Sequence, residues 1–244
     1  MSSTLVTVGP PLGVALVVLS ALAAAVAAAG RLGHERQIVV AAARAAVQLA
    51  AVSMVIAAIL GSLPLTAVFV IAMYAVAART SGRRMTDARS GWWAGVPILA
   101  GTLPVVLGLL AGGVLPPTGL AVIPVTGILI GGAMTATSLA GRRALDELAS
   151  RRGEVEAALS LGLSDRDAAL EICRPTAAQA LIPALDQTRT VGLVTLPGAF
   201  VGMLLGGASP LAAGAVQLFV LIALLAVETI AVVVITELVA RGRV

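Results

Sequence analysis

Ionisable side chains inside apolar stretches are the residues of this sequence best placed to do chemistry. Glu228 lies in an apolar stretch over residues 211–239, and Arg44 lies with Gln48 in another over residues 38–60. At the rise of a helix, Glu228 is roughly 16 Å and Arg44 about 9 Å from the nearer end of its stretch. A charge at such a depth in a membrane is costly and suggests a function. Two interpretations stay open: the residues form a buried ion pair, or Glu228 contacts a substrate and is the candidate metal ligand.

Residues for hydrolysis or metal catalysis are otherwise scarce. The chain has no lysine, so it cannot form the P-loop that binds the phosphates of ATP. His34 is the only histidine and has Glu35 and Arg36 beside it, as is typical of a solvated loop. Cys173 is the only cysteine, and no cluster of histidines and cysteines has metal-ligand spacing. We therefore expect no catalytic site and no cofactor held by this chain.

The composition indicates a membrane protein. Of 244 residues, 59% are hydrophobic, 11% charged and 2% aromatic, far from the averages of soluble domains. Seven stretches reach or approach the ~20 apolar residues that a transmembrane helix needs: residues 12–30, 38–60, 63–78, 92–115, 118–140, 191–207 and 211–239. The sequence predicts an all-α, polytopic protein with about seven transmembrane helices in a single domain over residues 1–244, or six helices if the first stretch does not insert.

The arginines indicate the orientation of these helices. With the N-terminus outside, fifteen of the sixteen arginines lie in cytoplasmic loops 31–37, 79–91 and 141–190 and in the tail after Val239; Arg44 is the exception. The outer loops carry no charge, as the positive-inside rule requires. The C-terminus is then inside. The net charge of +4 reflects this topology and gives no reason to expect nucleic acid as a partner. We expect a multi-pass protein of the cytoplasmic (inner) membrane, with the lipid bilayer as its surroundings.

One motif falls in the large cytoplasmic loop over residues 141–190. Its residues are Glu156, Ala157, Ala158, Gly162, Ile172 and Pro175. This spacing is typical of the EAA loop through which membrane subunits of ATP-binding-cassette (ABC) transporters engage a separate ATPase. An alanine-rich helix can also produce the triplet by chance, and the loop would then be an ordinary cytosolic hairpin.

The residues around the motif predict a compact helical hairpin. Apolar residues recur with helical spacing from Arg142 to Leu161, so the fifth span continues into the cytosol. Gly162 can adopt a left-handed conformation that ends this helix. Ser164, with Asp167 three residues later, can cap a second helix. That helix is expected to reach about Cys173 and to end at Pro175.

Glycines four residues apart mark the fifth and sixth predicted spans. Gly127 and Gly131 lie in the fifth, and Gly198, Gly202 and Gly206 form a ridge along the sixth. Small residues at this spacing let helices approach closely in lipid. Packing within one chain and a role at a subunit interface or translocation path are both open interpretations.

Several longer segments resemble one known family, that of the iron-export ABC permeases, whose plant relatives are linked to aluminium tolerance. The segments are residues 43–49 (ARAAVQL), 122–134 (VIPVTGILIGGAM), 159–162 (LSLG), 180–183 (ALIP), 190–198 (TVGLVTLPG) and 206–210 (GGASP). The resemblance covers about residues 40–220. One departure is visible, because Gly132 stands where the family has asparagine. If that asparagine contributes to the substrate path, the resemblance does not determine the substrate of this chain.

The resemblance implies a permease subunit that exports metal, with a homodimer of the chain as its assembly. A separate ATPase subunit would bind ATP and Mg²⁺. The residues alone leave other classes open: an ABC permease for a small organic solute, an ABC importer, or a secondary transporter or channel that needs no ATPase.

Overall fold

The computed structural model describes residues 9–59, 61–86 and 89–244. Helices account for almost all of this part of the chain, and it contains no β-strand, only an isolated bridge between Val191 and Thr195. The prediction of an all-α polytopic membrane protein is confirmed. The chain forms two compact units, residues 1–60 and 61–244. That they act as the single domain predicted over 1–244 stays a prediction.

The N-terminal unit is a pair of helices in contact with each other, α1 (Pro10–Ala29) and α2 (Glu35–Ile59). Pro10 and Pro11 begin α1, where the missing N–H groups of proline need no partner. Arg44 and Gln48 lie one turn apart on α2 and are both exposed in this unit.

The described residues of the larger unit form eight α-helices. They are α3 (Leu63–Met85), α4 (Gly95–Ala111), α5 (Gly119–Ser150), α6 (Arg152–Ser160), α7 (Asp165–Ala178), α8 (Ile182–Thr190), α9 (Gly198–Leu205) and α10 (Pro210–Ala240). Short 3₁₀ turns at Arg89–Ala94 and Gln179–Leu181 precede α4 and α8.

Helices α5 and α10 form the centre of this unit and run parallel. A β-carbon built on Gly132 of α5 would lie 2.5 Å from Leu224, and one on Gly141 would lie 3.0 Å from Ile235, so residue numbers rise together along both helices. Helix α3 runs in the same direction, since Gly127 of α5 lies against Met73 and Ser138, further along α5, donates a 2.9 Å hydrogen bond to Ser81. The C-terminal ends of α3, α5 and α10 therefore lie on one side.

Six helices are long and apolar enough to cross a membrane in the described part of the chain: α1, α2, α3, α5, α10, and the stretch Ser90–Ala111 that contains α4. The prediction of a continuous sixth span over 191–207 is wrong. The chain there makes a tight turn at residues 191–197 and then forms only the eight residues of α9. At 1.5 Å per residue α9 is about 12 Å long, well short of a ~30 Å hydrocarbon core.

Candidate functional site

The EAA motif lies on a hairpin made by α6 and α7. Helix α5 ends at Ser150. Arg151, with φ of −110°, has a non-helical backbone conformation and separates α5 from α6. The guanidinium of Arg151 contacts Glu147 at 3.2 Å and also binds Glu154. These contacts raise the pKa of Arg151, through Glu154 first, and lower the pKa of the Glu154 carboxyl. The ion pairs hold α6 close to the end of α5.

The turn between α6 and α7 has the predicted form. Gly162 has φ of +92°, in the left-handed region that favours glycine. The backbone N–H of Asp167 donates to Oγ of Ser164 at 3.2 Å, and the Ser164 hydroxyl donates to Oδ2 of Asp167 at 2.7 Å. The glycine elbow and the serine cap are both confirmed.

The predicted end of the second helix is wrong. Helix α7 continues through Pro175 to Ala178. Proline in a helix interior removes one backbone hydrogen bond and disfavours the helix locally. Burial on both sides of it offsets that cost here, because Cys173 and Ala177 are both fully buried.

The hairpin separates the motif into an exposed part and a buried part. Glu156 and Ala157 are exposed, and Leu161, beside the elbow, is 83% exposed. Glu156 pairs only within its own helix, with Arg152 at 3.1 Å. Ile172, in contrast, is buried. We define the coupling tip as residues 156–163. Its exposed surface includes apolar side chains and the carboxylate of Glu156.

Helix α7 is tied to the two central helices of the unit. Its buried face joins a core cluster with α5 and α10, and the members of this cluster include Ala136, Ala140, Ala144, Cys173, Ala177, Val232 and Ile235. At its start, Arg166 donates to both carboxylate oxygens of Glu237 on α10, at 2.6 and 2.8 Å. Arg241 donates to the same carboxylate at 2.6 Å. Sequence reasoning missed the link from Arg166 to Glu237, because the two residues are 71 positions apart.

Glu228 lies against α5 at Gly132. A β-carbon built on Gly132 would be 2.7 Å from Oε1 of Glu228. Glu228 is half-buried, and within the described residues of this unit it has no hydrogen-bond or ion-pair partner. Arg44 belongs to the other unit, so the Arg44–Glu228 ion pair and a role for Gln48 in the substrate path stay predictions.

The predicted packing glycines fall into two groups. Gly127 allows a close contact, because its β-carbon would be 2.8 Å from Cε of Met73 on α3. Gly131, Gly198 and Gly202 have nothing within 4 Å of that position, and Gly206 has only its own helix. Helix α9 contacts α10, but within the described residues of this unit the glycine face of α9 has open space beside it. Packing within the chain, a subunit interface and a translocation path all stay open interpretations of this ridge.

The described residues include no group of three or more histidine, cysteine, aspartate or glutamate side chains that could hold a metal ion. Glu228 stands alone as a possible metal ligand in its part of the unit. A cation at Glu228 would need other oxygens, such as hydroxyls and backbone carbonyls, or groups from a second chain.

Comparison with known proteins identifies the family. Residues 12–243 match the family described as "Uncharacterised protein family (UPF0014)". The chain belongs to this family. The resemblance expected from the sequence is confirmed, since a UPF0014 relative carries an iron-export name and plant relatives match as well. No solved structure matches the chain.

Three UPF0014 relatives illustrate the range of the family. The UPF0014 membrane protein STAR2 of rice is 36% identical over 220 residues, 89% of this chain and 77% of the relative. Protein ALUMINUM SENSITIVE 3 of Arabidopsis thaliana is 40% identical over 150 residues, 61% of this chain and 55% of the relative. The probable iron export permease protein FetB of Escherichia coli is 33% identical over 113 residues, 46% of this chain and 44% of the relative.

Proposed function

We propose that this UPF0014 protein is the permease subunit of an ABC transporter and works with a separate ATPase that binds ATP and Mg²⁺. The observation that carries the proposal is the coupling tip. It exposes Glu156, Ala157 and Leu161 on a hairpin whose second helix is fixed to α5 and α10. A partner bound at the tip can therefore move two long apolar helices without any ATP chemistry in this chain.

Three structural features connect the coupling tip to the long apolar helices. They form the proposed route by which movement of the tip reaches those helices. The left-handed Gly162 makes the sharp turn from α6 to α7, the Arg166–Glu237 pair joins the start of α7 to α10, and Cys173 packs in the core with α5. Packed elements of this kind move as units because protein interiors are close-packed and resist compression.

The proposed assembly is a homodimer in the cytoplasmic membrane. Each chain has one coupling tip, whereas ABC ATPases work in pairs, so two permease chains are needed. Closed two-fold symmetry is the usual solution for such assemblies. The exposed ridge Gly198, Gly202 and Gly206 is the proposed place where the chains come close.

The proposed substrate is a metal ion, and iron is the first candidate. The proposed direction of transport is export. The relative with an iron-export name supports iron. Glu228 supports a hard cation such as Fe(III) or Al(III), because carboxylate, hydroxyl and carbonyl oxygens favour hard over soft ions. A homodimer would supply two such carboxylates.

A small organic solute is the second candidate substrate. It is favoured by an almost wholly apolar cavity of about 160 Å³ between α3, α4 and α5. Tyr74, Thr102 and Thr126 are the polar residues of its lining, and the hydroxyl of Thr126 is buried without a partner in the described chain.

The test is reconstitution with candidate ATPases that lack membrane spans. The chain should co-purify with one of them, and replacing Leu161 and Ala157 by aspartate should abolish the association. Hydrolysis by the complex should rise with Fe(III) chelate and not with an apolar solute, and Glu228→Gln should remove that rise. Failure of every ATPase to associate would reject the ABC role. Association without stimulation by any metal would reject only the metal substrate.

A further inference from the structure

The parallel arrangement of α5 and α10 requires the chain to return across the unit between them. Helix α5 ends at Ser150, on the side where α10 also ends, while α10 begins at Pro210 on the opposite side. Residues 151–209 must therefore cover the full length of the bundle. They contain no helix longer than the 14 residues of α7.

Contacts with α10 trace this return. Arg166 meets Glu237, Leu181 lines the same cavity as Thr229, and the ring of Phe200 lies 4.0 Å from a β-carbon built on Gly214. Residue numbers fall along α10 as they rise along the returning segment. The segment therefore runs antiparallel to α10, with an interruption at residues 191–197 between α8 and α9.

The returning segment places polar residues beside the uncharged, apolar middle of α10. Thr229 and Gly214 are about fifteen residues apart on α10, or roughly 22 Å along its axis. Helix α8 is about 13 Å long and begins beside Thr229. Asp186, Arg189 and the interruption therefore lie beside a stretch of α10, residues 214–227, that has no charged residue.

These polar residues are exposed in the unit. The side chains of Asp186 and Arg189 are 61% and 73% exposed, with 3.6 Å between Oδ1 and Nη1, and Gln187 and Thr195 are exposed as well. At the start of α9 the first N–H groups have no acceptor within the helix, and Pro197 has no side chain that could cap them. Neither exposed charges nor open backbone groups are stable against lipid.

We propose that residues 186–195 line a water-filled cavity inside the membrane. Interrupted helices are tolerated at membrane depth where they border water or protein. The hydroxyls of Thr190 and Thr195 supply polar groups to this lining, and the carboxylate of Asp186 lies 3.6 Å from the guanidinium of Arg189, so the segment carries one charge of each sign. The solute admitted is a hydrated cation. That identity rests on the proposed function alone, whereas the cavity is inferred from the interrupted helix and from the exposed polar residues of this segment.

Cysteine accessibility in membranes tests the cavity. Single cysteines at Gln187 and Thr195 are compared with Leu218 and Ile222, exposed apolar positions of α10, and with Leu161 at the coupling tip. Each variant is treated with a small, charged methanethiosulfonate and, separately, with a maleimide carrying a bulky polyethylene glycol chain. Permeabilised membranes give both reagents access to both faces.

The cavity predicts a distinct pattern for the two test positions. Cysteines at 187 and 195 should react with the small reagent at least about tenfold faster than those at 218 and 222, because a thiol in lipid stays protonated and unreactive. They should resist the bulky reagent, which should modify Leu161→Cys.

Two outcomes would overturn the inference. Reaction of positions 187 and 195 with the bulky reagent as fast as position 161 would place the segment in bulk solvent. Reaction as slow as at 218 and 222 would mean that lipid or another protein seals the interruption. Neither result depends on an ATPase, so the test is separate from that of the proposed function.

Discussion

Gly132 of α5 leaves open the space that the carboxylate of Glu228 on α10 occupies. Its hypothetical β-carbon would lie 2.7 Å from Oε1 of Glu228 and 2.5 Å from Cδ2 of Leu224. Both distances are shorter than real side chains allow, so any larger residue at 132 must shift the ends of the Leu224 and Glu228 side chains.

Gly132→Ala should therefore disturb both stability and the position of the carboxylate. Overpacking typically costs about 1–3 kcal/mol of unfolding free energy; because flexible side-chain ends can move aside here, we expect a cost near the lower end of that range and a several-fold fall in transport. Gly131→Ala is the matched control, because nothing lies within 4 Å of its β-carbon and alanine favours a helix by up to about 1 kcal/mol. Thermal unfolding in detergent and transport in vesicles measure the two effects. Equal behaviour of both variants would show that Gly132 does not position Glu228.

The Arg166–Glu237 pair should matter more for coupling than for stability. Arg166 is partly exposed, and ion pairs exposed to solvent contribute little to stability, so Arg166→Gln should lower the unfolding free energy only slightly. Hydrogen bonding to Glu237 raises the pKa of Arg166, so the pair stays charged at physiological pH. The variant should retain ATPase binding yet lose a large part of substrate-stimulated hydrolysis.

Arg241→Gln is the control for this pair. Arg241, the residue directly after α10, binds the same carboxylate, so its loss leaves α7 attached to α10. If Arg241→Gln reduces stimulated hydrolysis as much as Arg166→Gln does, the charge around Glu237 matters and the connection between helices does not.

Gly162→Val should damage the elbow through the backbone alone. The site has open space around it, with nothing within 4 Å of a β-carbon, but φ of +92° is strained for a β-branched residue. Such strain costs about 1–3 kcal/mol. Gly162→Asn should be tolerated, because asparagine adopts left-handed conformations readily. Membrane insertion should persist in both variants, while ATPase association, measured by co-purification, should fall only for valine.

Cys173 should resist alkylation in the native membrane protein. It is fully buried, and burial raises the pKa of its thiol above the ordinary value. The reactive species is the thiolate, so the labelling rate at neutral pH should be far below that of Leu161→Cys and should rise as the pH is raised. Maleimide labelling before and after unfolding in detergent measures this. Rapid labelling at neutral pH would mean that α7 detaches from its core cluster.

Local signals in the sequence are sufficient for the elbow and the serine cap of the hairpin. They do not predict the break at Arg151, where the expected continuous helix to Leu161 divides into α5 and α6, or the attachment of α7. Gly162 and Ser164 determine their turn through their own backbone and side-chain chemistry, so both were predicted correctly. Pro175 signals a helix end by the same local chemistry, yet α7 continues, because packing against α5 and α10 outweighs one lost hydrogen bond. The Arg166–Glu237 contact has no local signal at all.

The segment over residues 191–207 shows a second limit of prediction from the sequence. Residues 191–207 are apolar enough to predict a span, and hydropathy does not distinguish a straight helix from a broken one. Gly192, with φ of +79°, and the Pro197-Gly198 pair are the residues at which the helix breaks. They were visible in the sequence, but only the parallel packing of α5 and α10 shows that α8 takes part in the return across the bundle.

The two helices of the hairpin differ in burial, and this difference affects how their sequences can change within the family. Helix α6 has no buried residue, whereas α7 has six. Substitutions in α6 can thus accumulate without weakening the fold, so its sequence is free to follow changes in a partner. Substitutions in α7 are constrained by the core. Under the proposed function, lineages that exchange one ATPase for another should therefore differ in α6 and keep α7.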